Sequence, residues 1–304
     1  MNEIKIHGLS VLLPSYNNCC VGLVEELKRQ ADSIVGIAGD EGFRYEIIVA
    51  DDGSTDMEAV NKNAAIDEME NCKYVRRERN TGRSAIRNFL AGCSKYEYLL
   101  FIDSDLEIVS DDFLLRYMQK EAAVVYGGIR IVGEKSHLGH NLRYLYEKEA
   151  ELKHTIEKRL QSPYKDFHTA NFMIKRVVLH ENPFTEKIKR YGYEDVLFGK
   201  SLKEREVEIL QIDNPIGFTK FEDNEEFVAK TEESLHTLMQ FSDEIKGYNS
   251  LIELYEKLKG CRLLPLVRLW HKMFGDAERR NLAGDNPCLR LFNVYRLGYF
   301  VCLH

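Results

Sequence analysis

The stretch Tyr98-Leu99-Leu100-Phe101-Ile102-Asp103-Ser104-Asp105 constrains this chain more than any other. An unbroken apolar run without alternation predicts a strand covered on both faces, as in a parallel sheet flanked by helices. The run stops abruptly at two carboxylates separated by one serine. In open parallel sheets ligands occupy the crevice beyond the carboxyl ends of the strands, so Asp103 and Asp105 are expected to project into one. Residues i and i+2 of an extended chain point the same way. That lets one or both carboxylates face a divalent cation that keeps waters and a substrate phosphate as its other ligands. A plain Asp- and Ser-rich turn fits the same residues taken alone.

The flanking sequence repeats the pattern. Leu9-Ser10-Val11-Leu12-Leu13 reads as a first strand closed by Pro14-Ser15-Tyr16-Asn17. Between Val21 and Ile37, Leu23, Leu27, Ala31 and Ile34 recur at spacings of three and four, as a buried helical face requires. Glu46-Ile47-Ile48-Val49-Ala50 is a second buried strand, ending at Asp51-Asp52-Gly53-Ser54-Thr55-Asp56. Lys73-Tyr74-Val75-Arg76 is a weaker strand that leads through Asn80-Thr81-Gly82 into a helix from Ser84 to Cys93. Strand and helix alternating in this way predict a doubly wound, mostly parallel α/β sheet. Further on, Ala122–Tyr126 and Phe172–Ile174 read as strands, Asn141–Leu160 as a helical stretch, Tyr191-Gly192-Tyr193-Glu194-Asp195 as a helix opening and Val207–Ile212 as an edge strand. Asp243, Gly247 and Asn249 interrupt two helical patterns, dividing the chain into a domain of residues 1–245 and a helical extension of residues 246–304.

Composition narrows the classes. The 304 residues hold no apolar run long enough to span a membrane, and Met1-Asn2-Glu3-Ile4-Lys5-Ile6 lacks the apolar core of a signal peptide, so the expected compartment is the cytoplasm. Seven scattered cysteines without a CxxC pair support neither a disulfide framework nor a zinc site; they are expected to be reduced and mostly buried. A net charge of −7 argues against nucleic acid as a partner. The charge is uneven: residues 246–304 carry ten Lys/Arg against five Asp/Glu, and residues 1–245 carry 32 against 44.

Neighbouring parallel strands bring Asn17, Asp51, Asp52, Asp103 and Asp105 to one sheet edge. A carboxylate accepts from the N–H of a uracil-like base, so Asp51 or Asp52 could hold a nucleotide base while Asp105 handles metal and diphosphate; a turn with helix caps is the other reading of Asp51 and Asp52. Arg83 and Arg87 lie four apart at the start of a helix, where guanidinium groups and a helix N-terminus suit a diphosphate. Glu194 and Asp195 open a helix, where carboxylates are favoured electrostatically, and either could also serve as a general base.

Pro14-Ser15-Tyr16-Asn17, Asp51-Asp52-Gly53-Ser54-Thr55-Asp56, Asn80-Thr81-Gly82 with Arg87-Asn88, Asp103-Ser104-Asp105 and Glu194-Asp195, in this order and spacing, resemble family 2 of the glycosyltransferases over residues 8–240. The resemblance implies a GT-A fold, an α/β domain that binds a nucleotide sugar and a divalent metal, Mn2+ or Mg2+, and an inverting transfer to an acceptor hydroxyl. It implies that Asp51 or Asp52 contacts the base, that Pro14, Tyr16 and Asn17 shape the nucleotide pocket with Gly82 and Arg87 toward the diphosphate, and that Asp105 is the chief metal ligand. Asp103 would lie near the ribose or the metal, and Asp195, or Glu194, would be the base. The chain departs from the family at Pro215-Ile216-Gly217-Phe218-Thr219-Lys220, where many relatives carry a metal-binding histidine and this segment has none.

In the tail, Leu263, Leu266, Val267, Trp270, Met273 and Phe274 fall on one side of a helix, with Arg268 and Lys272 on the other. Such a helix caps the domain or forms a dimer contact, or it attaches peripherally to the inner face of an anionic membrane. The expected activity is transfer from a UDP-sugar to a saccharide or lipid-linked acceptor in polysaccharide or glycolipid synthesis. The alternatives are a non-catalytic nucleotide-sugar binding or scaffold protein and a sugar nucleotidyltransferase. The latter is disfavoured because no Gly-rich basic phosphate loop follows the first strand.

Overall fold

The structure, a computed structural model, describes residues 4–38 and 42–304. Met1-Asn2-Glu3, part of the leader reading, lies outside the described residues. The chain groups into two compact units, one of Met1–Arg130, His154–Lys189 and Phe198–Thr219, the other of Ile131–Lys153, Arg190–Leu197 and Lys220–His304.

The strands are β1 (Gly8–Ser15), β2 (Arg44–Asp51), β3 (Cys72–Arg76), β4 (Tyr98–Ile102), β5 (Val124–Tyr126), β6 (Ile129–Ile131), β7 (Asn171–Lys175), β8 (Ile209–Gln211) and β9 (Ile216–Phe218). Seven of them form one sheet in the order β3-β2-β1-β4-β7-β5-β8, and β6 pairs with β9. All pairings in the large sheet are parallel except those of β7, which runs antiparallel to β4 and β5. The direction of β7 follows from the path of the chain. Residues 127–170 leave from the carboxyl end of β5 and return to that same edge, so the next strand can only run back through the sheet.

Every residue of β4 is buried, and successive side chains in the sheet serve opposite faces. On one face Leu9, Val11, Leu13, Leu100 and Ile102 meet Val24, Leu27, Ala31 and Ile34 of the helix Val21–Ala38. On the other, Leu12, Ile48, Leu99 and Phe101 meet Ile86 and Leu90 of the helix Arg83–Cys93, together with an aromatic cluster. Phe172 joins that cluster, stacked on Phe101 at 5.1 Å and edge-on to Phe167 at 5.2 Å. The helix Val21–Ala38 also buries Gln30. Its amide donates to the Ser110 carbonyl at 2.9 Å and accepts from the Leu114 N–H at 3.1 Å, so both ends of this buried amide are paired.

Four expectations change. The helical stretch Asn141–Leu160 is two helices, Leu142–Glu151 and Ile156–Gln161; Thr155 takes an extended conformation that interrupts the first and starts the second. The strands expected at Ala122–Tyr126 and Val207–Ile212 are shorter, Val124–Tyr126 and Ile209–Gln211. The cysteines are not mostly buried: Cys19, Cys93, Cys261, Cys288 and Cys302 are exposed, four of them at or beyond helix ends or on an outer helix face.

In the second unit the helices Leu142–Glu151, Asn224–Gln240, Leu264–Ala283 and Leu289–Leu303 share a core of Leu142, Phe227, Val228, Leu282, Phe292 and Tyr295. Asp223 caps the helix Asn224–Gln240 by accepting from the Glu226 N–H at 2.8 Å. Among the described residues no helix is long and apolar enough to cross a membrane.

Because Phe172 packs between several rings, truncation should leave a cavity that the sheet cannot collapse. Phe172→Ala is expected to lower stability by about 3–5 kcal/mol, measured by chemical denaturation followed by circular dichroism.

Candidate active site

The strand order reverses beside β1: the chain moves outward to β2 and β3, then returns to β4 on the other side of β1. The crevice at such a switch point is where this kind of sheet binds ligands. Register brings the relevant tips together, with Ser15 opposite Asp51, Asp51 opposite Arg76 and Leu12 opposite Phe101.

At the tip of β1, Pro14 still lies in the ladder opposite Ala50, whereas Tyr16 is exposed at 46%. Asn17 adopts φ of 50°, a left-handed conformation that asparagine tolerates. From there it clamps the next loop: its N–H donates to Ser54 Oγ at 2.7 Å, and its Oδ1 accepts from the N–H groups of Thr55 at 2.8 Å and Asp56 at 3.0 Å. Gly53, at φ 74°, has no room for a side chain; a Cβ there would lie 2.5 Å from the Arg79 backbone. The loop after β2 is thereby pressed against the segment that leads into the helix Arg83–Cys93.

Asp51 is 0% exposed. It accepts from the Ser54 N–H at 2.7 Å and from the Tyr74 hydroxyl. Burial, then the Asp51 carboxylate beside it, pushes the Tyr74 hydroxyl well above its ordinary titration range, so Tyr74 remains a donor. Asp52, also buried, accepts from the Thr81 and Gly82 N–H groups at 2.9 Å each, from Thr81 Oγ1 at 2.8 Å and from Arg77 at 3.3 Å. Each carboxylate therefore holds loop backbone in place. Gly82 precedes the helix at φ 93°, and with Thr81 it brings the loop's N–H groups onto Asp52.

Arg87 is 1% exposed and donates to Asp103 Oδ1 at 2.6 Å, with the Phe184 ring beneath its guanidinium. Of the paired arginines, Arg83 is the exposed one at the helix start. The loop after β4 is held from three sides. The Asp103 N–H donates to the Ala170 carbonyl at 3.1 Å, Asn18 Nδ2 donates to the Ser104 carbonyl at 2.6 Å, and Glu107 and Gly217 exchange backbone hydrogen bonds at 2.9 and 2.8 Å. Within this frame Asp103 is half-buried and Asp105 exposed. The Glu107–Gly217 bridge sets the histidine-free segment Pro215–Lys220 directly beside the Asp105 loop.

Among the described residues no group of three or more His, Cys, Asp or Glu is arranged to hold a metal. A hard cation that takes one or two carboxylates and completes its shell with water and phosphate oxygens needs no such group, and the exposed Asp105 next to Asp103 fits that chemistry. Glu194 and Asp195 belong to the second unit. They open the helix Glu194–Glu204 after Tyr193 at φ 70°; Glu194 is buried, and Asp195 Oδ1 accepts from the Val196 N–H at 2.8 Å.

A mostly parallel sheet wound on both faces, with carboxylates at the strand tips flanking its switch point, is the GT-A fold of nucleotide-sugar glycosyltransferases. The family model described as glycosyl transferase family 2 matches residues 10–182, and the chain belongs to that family. Among solved structures, a mannosyltransferase from Pyrobaculum calidifontis in complex with GDP-Man and Mn2+ is 14% identical with a TM-score of 0.54, covering 97% of this chain and 84% of that one. TarS 1-349 of S. aureus in complex with UDP is 19% identical with a TM-score of 0.48, covering 96% and 89%. Glucosyl-3-phosphoglycerate synthase from Mycobacterium tuberculosis, in complex with Mn2+, UDP and glucosyl-3-phosphoglycerate, is 18% identical with a TM-score of 0.48, covering 77% and 79%. No curated protein matches in a sequence comparison.

The sequence reading missed Tyr74, Asn18 and Asn171. Asn171 is buried at the start of β7, where it accepts from the Tyr117 hydroxyl at 2.7 Å and donates to the Gly128 and Asn214 carbonyls at 2.8 and 2.9 Å. An asparagine opening the apolar run Phe172-Met173-Ile174 was the available signal. Removing the Asp52 carboxylate should release several donors at once. Asp52→Ala is expected to cost about 2–3 kcal/mol and to speed amide exchange at Thr81 and Gly82, measured by thermal melting and hydrogen exchange.

Proposed function

We propose that the protein is an inverting glycosyltransferase that moves a sugar from a nucleoside-diphosphate donor, a UDP-sugar, to an acceptor hydroxyl of a polysaccharide or lipid-linked saccharide on the cytoplasmic side of the cell envelope. The observation that carries this reading is the pair of carboxylates at the tip of β4, beside the switch point, with Asp103 held by the buried Arg87 and Asp105 at the exposed surface. Membership of family 2 supports the transfer chemistry, and the GT-A mannosyltransferase with GDP-Man and Mn2+ supports a nucleotide sugar with a divalent cation.

In this reading Asp105 holds the cation, with Asp103 next to it. The cation supplies Lewis-acid stabilisation of the leaving diphosphate when bound. Tyr16 and Asn17, following Pro14, border the nucleotide, and Asp51 or Asp52 receives the base N–H: Ser54 and Tyr74 take two of the about four lone-pair sites of Asp51, whereas on Asp52 one of its present donors gives way to the base. Arg87 fixes the position of Asp103, and the N-terminus of the helix Arg83–Cys93, preceded by Gly82, faces the diphosphate. Asp195, or Glu194, takes the proton from the attacking acceptor hydroxyl; attack on the face opposite the leaving group inverts the anomeric centre. Residues 1–245 carry these parts and residues 246–304 are the extension.

A second reading, a non-catalytic nucleotide-sugar binder, is favoured by the lack of histidine in Pro215–Lys220, the segment bridged to the Asp105 loop through Gly217. Calorimetric titration of UDP, GDP and CDP with and without Mn2+ tests the donor site. UDP is expected to bind only with Mn2+ and at least tenfold more weakly to Asp105→Ala; binding that needs no metal and is unchanged in the variant would overturn the metal role. The base is tested separately. Asp195→Asn should keep UDP affinity while lowering turnover of the UDP-sugar by about 10²–10⁴-fold, and retention of full turnover would remove Asp195 from the mechanism.

A further inference from the structure

The helix Leu264–Ala283 is held by an unusual side. Its buried residues are Gly275, Glu278 and Leu282, and close approach is built into the packing. A Cβ on Gly298 of the helix Leu289–Leu303 would lie 2.6 Å from the His271 ring, and one on Gly275 would lie 3.0 Å from it. The glycine at Gly298 thus leaves the space that the His271 ring fills between the two helices. The opposite side is the apolar one. Leu266, Leu269, Trp270 and Met273, at spacings of three and four, are 63%, 55%, 50% and 64% exposed, and Leu263 and Phe274 extend the stripe.

Trp270 sharpens the point. Its indole N–H donates to the buried Glu278 Oε1 at 2.8 Å, and its ring lies against Phe274 at 4.5 Å between centroids. The ring's one polar atom is thus satisfied on the protein side, so what it offers outward is hydrocarbon. Exposed basic residues accompany the stripe: Arg262 before the helix, Lys272 three residues after Leu269 and Arg280 further along; the preceding helix exposes Lys257 and Lys259 together with Glu253 and Glu256. Asp276 is the exposed acidic residue within this helix.

We propose that this face is a peripheral membrane contact that seats on an anionic lipid surface, with the apolar stripe entering the headgroup–acyl boundary and the basic residues meeting the lipid charge. Two observations favour a bilayer over a second copy of the chain. The stripe has about six side chains, whereas a stable protein interface uses about 20–30 residues a side. The surrounding segment also carries a net positive charge, with ten Lys/Arg against five Asp/Glu in residues 246–304, so two copies meeting through it would bring net like charge together. The surface goes beyond the transfer reaction, and vesicle binding is read without donor or acceptor, so either idea can fail alone.

Trp270 is the chain's only tryptophan, which makes its fluorescence a direct reporter. Vesicles of phosphatidylcholine alone and of equal parts phosphatidylcholine and phosphatidylglycerol would be titrated into the full chain. The expected result is a blue shift and co-sedimentation with the anionic vesicles, at least tenfold weaker for Leu266→Ser/Met273→Ser and for Arg262→Glu/Lys272→Glu. These sites are exposed, so circular dichroism should be unchanged, and Phe172→Tyr serves as a core variant that should bind vesicles normally. Absence of binding to any vesicle, binding indifferent to both double variants, or a dimer in light scattering that Leu266→Ser/Met273→Ser dissolves without vesicle binding would each overturn the proposal.

Discussion

A strand from which water is excluded on both faces can carry charge only at its tip, where a partner can reach it. β4 is such a strand, and the tip of the sheet is organised around that limit. Taking an ion out of water costs several kcal/mol unless a partner compensates. Asp103, the first residue past the ladder, meets this requirement with Arg87 at 2.6 Å; Arg87, itself buried, depends on Asp103 and on the Phe184 ring in turn. Two positions further on, Asp105 has reached solvent. The change from apolar strand to half-buried and then exposed carboxylate takes four residues, from Ile102 to Asp105.

The loops around that tip have no ladder of their own, and short side chains take its place. Asn17 ties the β1 loop to the β2 loop, Asp52 ties the β2 loop to Thr81 and Gly82, and Asn18 ties the β1 side to Ser104. Each bond contributes about 1 kcal/mol net, so no one of them dominates. Together they hold four separate segments against the entropy of loose loops. The motif-rich stretches of this chain are therefore polar for two reasons. Some of their atoms face the crevice, and others hold up the neighbouring loop.

That double duty marks how far the sequence could be read. Uninterrupted apolar runs located β1, β2 and β4, and helical spacing located the helix Val21–Ala38, because burial on both sheet faces leaves a local record in residue type. Asp51 and Asp52 were legible as polar strand ends, but their partners were not: Tyr74 is 23 residues from Asp51 and Thr81 is 29 from Asp52. A hydrogen bond at that separation leaves no periodic signal. The reversal of β7 was hidden for a similar reason, since strand propensity carries no direction. Asn141–Leu160 failed because helix-forming composition continues through Leu152-Lys153-His154, whereas the backbone leaves the helix after Glu151 and is extended at Thr155.

The tail helix exposes a different limit. Five of the six residues assigned to its apolar side are on the exposed stripe, with Leu269 in place of Val267, yet a hydrophobic stripe records which side is apolar and not what that side faces. Packing within the second unit was settled by something periodicity does not measure, the room that Gly275 and Gly298 leave for the His271 ring. With that face docked, Glu278 is buried and can accept from the Trp270 N–H, and the stripe is left on the far side of the helix. Rolling the stripe inward would move the His271 ring out of the gap opposite Gly298, so burying more apolar surface would cost close packing. The outward stripe is therefore a consequence of how the unit is built.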